Sequence, residues 1–140
     1  MEATVYDTSS LKKMLRDRGV NPTSQRLVVA RLLFERCEHL SAEQVYLLVN
    51  EVESDSRVSK ATVYNTLGLF ARKGLIREVY ADPNRVFYDP NTEPHYHIYN
   101  VTDGTLKDFD ADSMQADILP ALPEDTRLEG VDVIVRVSSD

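Results

Sequence analysis

The hydrophobic pattern of this chain changes period at Gly74, and that change sets the fold. Up to Phe70, apolar residues recur three and four apart, the spacing of helices with one buried face. Beyond Gly74 they alternate, the spacing of strands. Leu11, Met14 and Leu15 mark a first helix, with Ser9 or Ser10 as N-cap and Gly19 as its end. Thr23-Ser24-Gln25-Arg26 opens a second, which carries Leu27, Ala30, Leu33 and Phe34. Ser41 and Gln44 stand at capping-box spacing before a third, whose apolar face is Val45, Leu48, Val49 and Val52. A fourth follows Val58-Ser59, with Ala61, Val63, Leu67 and Phe70 inward and Gly74 as C-cap. Residues 75–80 and 85–88 then read as strands joined by a turn at 81–84 that contains Pro83 and Asn84. Helices that end in a two-stranded hairpin describe a winged helix-turn-helix.

A second, smaller unit begins after Pro90. Strands at 98–101 and 105–109 flank Thr102-Asp103-Gly104, a hairpin signal. Residues 114–119 suit a short helix, and 131–137 form the most apolar strand of the chain. The expected class is α+β, with a winged helix over 1–89 and a small α/β dimerisation domain over 90–140. About fifty residues bury too little surface to be comfortable alone, so this unit gains from pairing with another copy.

Charge divides along the same line. The net charge is −7, which argues against a nucleic-acid partner until its distribution is considered. Residues 1–80 hold 12 Lys/Arg against 10 Asp/Glu, and residues 81–140 hold 4 against 13. A mildly basic first half suits contact with phosphate, whereas the acidic half needs another role. The N-terminus has no basic-then-apolar leader, and no apolar run approaches the length of a membrane span, so a soluble cytoplasmic protein is expected. One cysteine, Cys37, allows neither an internal disulfide nor a Cys-x-x-Cys zinc site, and in its helical setting it reads as a small apolar residue.

In a helix-turn-helix, side chains near the start of the recognition helix enter the major groove. Here Ser59, Lys60, Thr62, Tyr64 and Asn65 are left on the outside or margins once Val63 and Leu67 turn inward, and Arg57 precedes them. They suit phosphate, thymine-methyl and base-edge contacts on double-stranded DNA. Thr23, Gln25 and Arg26 stand ready to grip the backbone, and Arg16 joins this set.

The three histidines suggest a metal. His95 and His97 lie two apart, so an extended strand sends both imidazoles to one side. Asp89, Glu93 and Asp108 supply carboxylates nearby in sequence, and His39 lies further upstream, before the third helix. Mixed imidazole and carboxylate sets suit iron, manganese or zinc.

Three ordered phrases carry a resemblance to a known family. They are Gly19-Val20-Asn21-Pro22-Thr23-Ser24-Gln25-Arg26, His39-Leu40-Ser41-Ala42-Glu43-Gln44-Val45-Tyr46 and Ala61-Thr62-Val63-Tyr64-Asn65-Thr66-Leu67, followed by Pro94-His95-Tyr96-His97. Together they resemble the ferric uptake regulator (Fur) family. The resemblance implies a homodimeric, metal-responsive transcriptional regulator, expected to be a repressor, that acts on promoter DNA. It implies one sensory metal per subunit at the junction of the two domains.

Within the family the pattern is most similar to the peroxide-sensing (PerR) branch. That branch implies His39, Asp89, His95, His97 and Asp108 as ligands of Fe2+ or Mn2+, with Zn2+ possible, and leaves Glu93 out. It further implies that bound iron would let peroxide oxidise a ligating histidine. Three departures stand out. There are no Cys-x-x-Cys pairs for a structural zinc. Tyr96 occupies a ligand position of a second site common in the family. The tail from Ile118 to Arg136 resembles the iron response regulator (Irr) branch, which reads haem status, yet Cys37 is followed by Glu38 rather than proline. Haem or iron status is therefore the alternative effector. Two rival classes remain: a non-haem iron enzyme built on two histidines and an acid, and a winged helix used only for protein contacts.

Overall fold

The computed structural model describes residues 5–51, 57–93, 95–110 and 120–140. Its contacts divide the chain into two units, Met1–Thr92 and Glu93–Asp140. In the first, the order is α1 (Thr8–Asp17), α2 (Ser24–Arg36), β1 (Leu40–Ser41), α3 (Ala42–Val49), α4 (Lys60–Arg72), β2 (Arg77–Asp82) and β3 (Arg85–Asp89). The second contains β4 (His95–Asn100), β5 (Leu106–Asp110) and β6 (Ile134–Val137).

Each helix of the first unit starts at a side-chain cap that satisfies an otherwise unpaired backbone N–H. Asp7, not Ser9 or Ser10, caps α1, and its carboxylate accepts from Ser10 N at 2.7 Å. That bond holds the Asp7 carboxyl below its ordinary pKa. Thr23 caps α2 and Ser59 caps α4. On α3 the full capping box forms: Ser41 accepts from Gln44 N, and the Gln44 carboxamide accepts from Ser41 N. Gly19 (φ +74) and Gly74 (φ +75) turn the chain out of α1 and α4 in the left-handed conformation that costs glycine least. At the end of α2 the same task falls to Cys37 (φ 53), whose thiol donates to Phe34 O at 3.2 Å. Cys37 is thus a half-buried C-cap rather than a residue within the helix.

The helices close on one core, with Leu11, Leu15, Val29, Leu33, Val45, Val63, Leu67 and Phe70 fully buried. Three expectations change here. Ala61 faces solvent, and its place inside α4 is taken by Thr66. Leu75 and Ile76 are buried but precede the strand, which runs from Arg77 to Asp82 and takes in the first half of the expected turn. The third change is β1, two residues with no periodic signal, which adds an edge to the sheet in the order β1-β3-β2. Val52 of the expected α3 face lies outside the described residues.

In the second unit β4 is central, antiparallel to β5 and parallel to β6. It begins at His95, three residues before the expected start, so both histidines belong to the strand. The last strand covers Ile134–Val137 only, shorter than 131–137. The helix expected at 114–119 lies outside the described residues. Among the described residues no helix is long and apolar enough to cross a membrane.

The two reciprocal bonds at Ser41 make a direct prediction. Ser41→Ala should lower unfolding free energy by about 1 kcal/mol, the usual cost of losing an N-cap. Urea denaturation checks it, and an unchanged midpoint would contradict the capping assignment.

Candidate metal centre and nucleic-acid interface

In the first unit, strand register brings one histidine to one acid. β1 pairs with β3 as Leu40↔Tyr88 and Ser41↔Phe87, so the chain just before β1 runs beside the end of β3. His39 Nε2 consequently lies 3.1 Å from Asp89 Oδ2. The Asp89 side chain is 4% exposed, and a carboxylate so buried needs partners to remain charged. The same residue accepts from Asn91 N at 2.9 Å, which anchors the chain as it leaves the sheet.

In the second unit, pleat and pairing do the equivalent work. Along β4, burial alternates, with His95, His97 and Tyr99 on the hidden side. His97 stands directly across from Asp108 on β5, and His95 lies diagonally from it. Both Nε2 atoms converge on Asp108 Oδ1, at 3.4 Å from His95 and 3.3 Å from His97. His95 Nδ1 lies 2.6 Å from the Glu93 carbonyl oxygen, which can only accept, so Nδ1 carries the proton. In the neutral ring, Nε2 then turns a lone pair toward the carboxylate. Two lone-pair donors this close repel unless a proton or a metal cation lies between them. Imidazole Nε2 with carboxylate oxygen is also the donor set of divalent iron, manganese and zinc sites, so these residues fit such an ion. A backbone carbonyl that fixes the far nitrogen of a ligating histidine completes the fit.

The DNA-contact candidates separate into two faces. Thr62 and Asn65, with Thr66 and Leu69, form one face of α4 at helical spacing. Opposite them the start of α2 contributes Thr23, Ser24, Gln25 and Arg26, and the two sets line one groove of about 450 Å³. The Arg26 guanidinium holds Asn21 O at 2.9 Å. Ser59 Oγ donates to Thr62 Oγ1 at 2.9 Å and caps the helix. Lys60 and Tyr64 lie off this groove, and Tyr64 is 47% exposed. Arg57 and Arg16 are exposed, with Arg16 in the last turn of α1. Ser24, Thr66 and Leu69 were not picked out by sequence reasoning. Thr66 carried a usable signal: a hydroxyl inside the stripe of Val63, Leu67 and Phe70.

Lys60 is engaged in the free protein. Its ammonium lies 3.0 Å from Glu43 Oε2 on α3 and 6.0 Å from the centre of the Tyr46 ring. The Glu43 bond holds the Lys60 pKa above its ordinary value. An exposed pair of this kind contributes little stability, so the lysine can exchange partners readily.

These sites sit in a chain whose relationships are clear. A model of the ferric uptake regulator family matches residues 17–134. This chain belongs to that family. Its members are metal-responsive transcriptional regulators that act as DNA-binding dimers, not enzymes. The ferric uptake regulation protein of Campylobacter upsaliensis is 33% identical over 98 residues, covering 69% of this chain and 63% of that protein. The peroxide-responsive repressor PerR of Staphylococcus aureus is 33% identical over 109 residues, covering 78% of this chain and 72% of the repressor. The solved ferric uptake regulator from Pseudomonas aeruginosa with manganese superposes with a TM-score of 0.69 at 25% identity, covering 91% of this chain and 96% of that one. Other solved relatives hold iron or zinc.

The Glu43 contact is open to direct measurement. In Glu43→Gln the Lys60 pKa should fall back toward 10.5, because its main cause is gone. Side-chain carbon shifts of Lys60 followed against pH report this, and an unmoved titration would refute the pair.

Proposed function

We propose that this chain is a homodimeric transcriptional regulator, a repressor of iron-homeostasis or peroxide-stress promoters, whose DNA affinity depends on one divalent ion per subunit. His39, Asp89, His95, His97 and Asp108 are its ligands. The observation that carries the reading is the approach of His95 and His97 Nε2 to one Asp108 oxygen, at 3.4 and 3.3 Å. The His39–Asp89 pair at 3.1 Å is a partial set of the same chemistry in the other unit.

Bound iron or manganese, with zinc accepted, would supply a positive charge shared by ligands from both units. The chain does the rest. Glu93 O orients His95, the β4–β5 pairing sets Asp108 against His97, and the β1–β3 pairing sets His39 against Asp89. Ligands drawn from both units would restrict the connection around Pro90, and so the presentation of α4. Only a ligand that favours one arrangement over another can shift DNA affinity.

On the DNA side, Ser59, Lys60, Thr62, Tyr64 and Asn65 of α4 and its cap would enter the major groove of an operator. Arg16, Thr23, Gln25, Arg26 and Arg57 would hold phosphates. Lys60 would exchange Glu43 for the backbone, and exposed Tyr64 would read base edges or thymine methyls. Pairing of two copies through the second unit is supported by its small three-stranded sheet and by Val101, Val135 and Val137, which are 53%, 40% and 40% exposed. The cytoplasm, where the operator resides, is the expected location.

His97→Ala tests the ligand set. It should lower metal affinity by orders of magnitude and remove the metal dependence of DNA binding, while circular dichroism remains that of the parent. A variant that keeps one tightly bound ion per subunit and a metal-dependent DNA affinity would overturn the assignment.

A further inference from the structure

We propose that Thr66 is the floor of an oxyanion subsite between α2 and α4 that takes one phosphate of a nucleic-acid backbone. The inference rests on the DNA-binding reading above and adds a contact to it.

Two observations converge on this groove. The first is Thr66 itself. It lies among core residues and is only 4% exposed, yet its side chain makes no hydrogen bond among the described residues and it lines the groove. With no partner among the described residues, this hydroxyl can donate to an acceptor that enters the groove, a capacity valine in the same space would lack. A threonine there makes physical sense if the groove receives a hydrogen-bond acceptor.

The second observation is the character of the walls. The groove has no acidic side chain in its lining. On the α2 side, Ser24 and Gln25 are the first two residues of a 13-residue helix, so their backbone N–H groups have no acceptor within it. The Arg26 N–H is already taken by Thr23 Oγ1 at 3.3 Å, while its guanidinium stays at the rim on Asn21 O. Across the groove, Thr62 Oγ1 accepts from Ser59 at 2.9 Å, which leaves its own proton for a guest. Two backbone donors at a helix start, facing two hydroxyls, suit a tetrahedral anion. The groove is open and larger than one phosphate group, so the fitting guest is a phosphate that belongs to a larger chain. Lys60 and Tyr64 on the neighbouring face of α4 are where that chain would continue.

The test compares Thr66→Val with Thr66→Ser on double-stranded DNA. Valine and threonine have similar helix propensity, so the fold is expected to survive. Thr66→Val should weaken binding about tenfold on specific and unrelated sequences alike, the scale of one lost hydrogen bond to a charged group. Its melting temperature should not fall. The slope of affinity against salt should stay unchanged, because no positive charge is removed. Thr66→Ser, which keeps the hydroxyl, should bind within about twofold of the parent.

A second arm uses inorganic phosphate against chloride at constant ionic strength. The Ser24, Gln25 and Thr66 amide resonances should move with phosphate in the parent and in Thr66→Ser, but not in Thr66→Val. Parental DNA affinity in a folded Thr66→Val protein would overturn the subsite. If Thr66→Val does not fold, the absence of any phosphate-specific shift in the parent overturns it instead. A parent that shows the phosphate response but binds no DNA would keep the subsite and reject the DNA reading.

Discussion

The chemistry of this chain depends on a simple repulsion. An imidazole nitrogen that lacks its proton and a carboxylate oxygen both present lone pairs, and bringing them together is unfavourable without a positive charge between them. The second unit brings the Nε2 atoms of two histidines to one aspartate oxygen on adjacent strands. Glu93 O settles which nitrogen of His95 faces inward. The first unit brings His39 Nε2 to Asp89 at 3.1 Å. A protonated imidazole relieves the repulsion, and so does a divalent ion. The chain belongs to a family of metal-responsive regulators, and the proposed ligand set takes the ion as that charge.

The proposed DNA-facing side follows another logic. Its charges are few, and one of them, Lys60, is held by Glu43 in the free protein. Much of the remaining contact capacity is neutral: hydroxyls, carboxamides and backbone N–H groups around the α2–α4 groove. A surface of this kind depends on placement more than on charge, and placement is what the N-caps Thr23 and Ser59 provide at the two helix starts. This also fits a chain with a net charge of −7, where long-range attraction to DNA is weak and close-range donors must do more of the work.

What could be read from the sequence was whatever local chemistry determines. Caps such as Ser41 with Gln44, the helical stripes, and the two-residue spacing of His95 and His97 are properties of short segments, and each appears in the structure. Features that depend on partners distant in the chain were harder to read. β1 is too short for any periodicity, yet its pairing with β3 is what brings His39 to Asp89. Ala61 was expected inside because alanine is apolar, but it lies on the exposed side of α4, and Thr66 is buried with Val63, Leu67 and Phe70. Asp108 was singled out by resemblance, and the β4–β5 register gives the physical reason: it is the residue opposite His97.

In the proposed regulator, metal and DNA binding are linked through one set of ligands. Linkage is reciprocal, so any change that metal makes in DNA affinity must reappear as an equal change that DNA makes in metal affinity. The most direct measurement is a manganese titration of the dimer, alone and saturated with a duplex selected by the protein, beside the DNA affinity measured with and without manganese. The two ratios should agree and fall on the order of 5- to 150-fold, the usual range of coupling between sites. An identical manganese affinity with and without DNA would rule out that linkage.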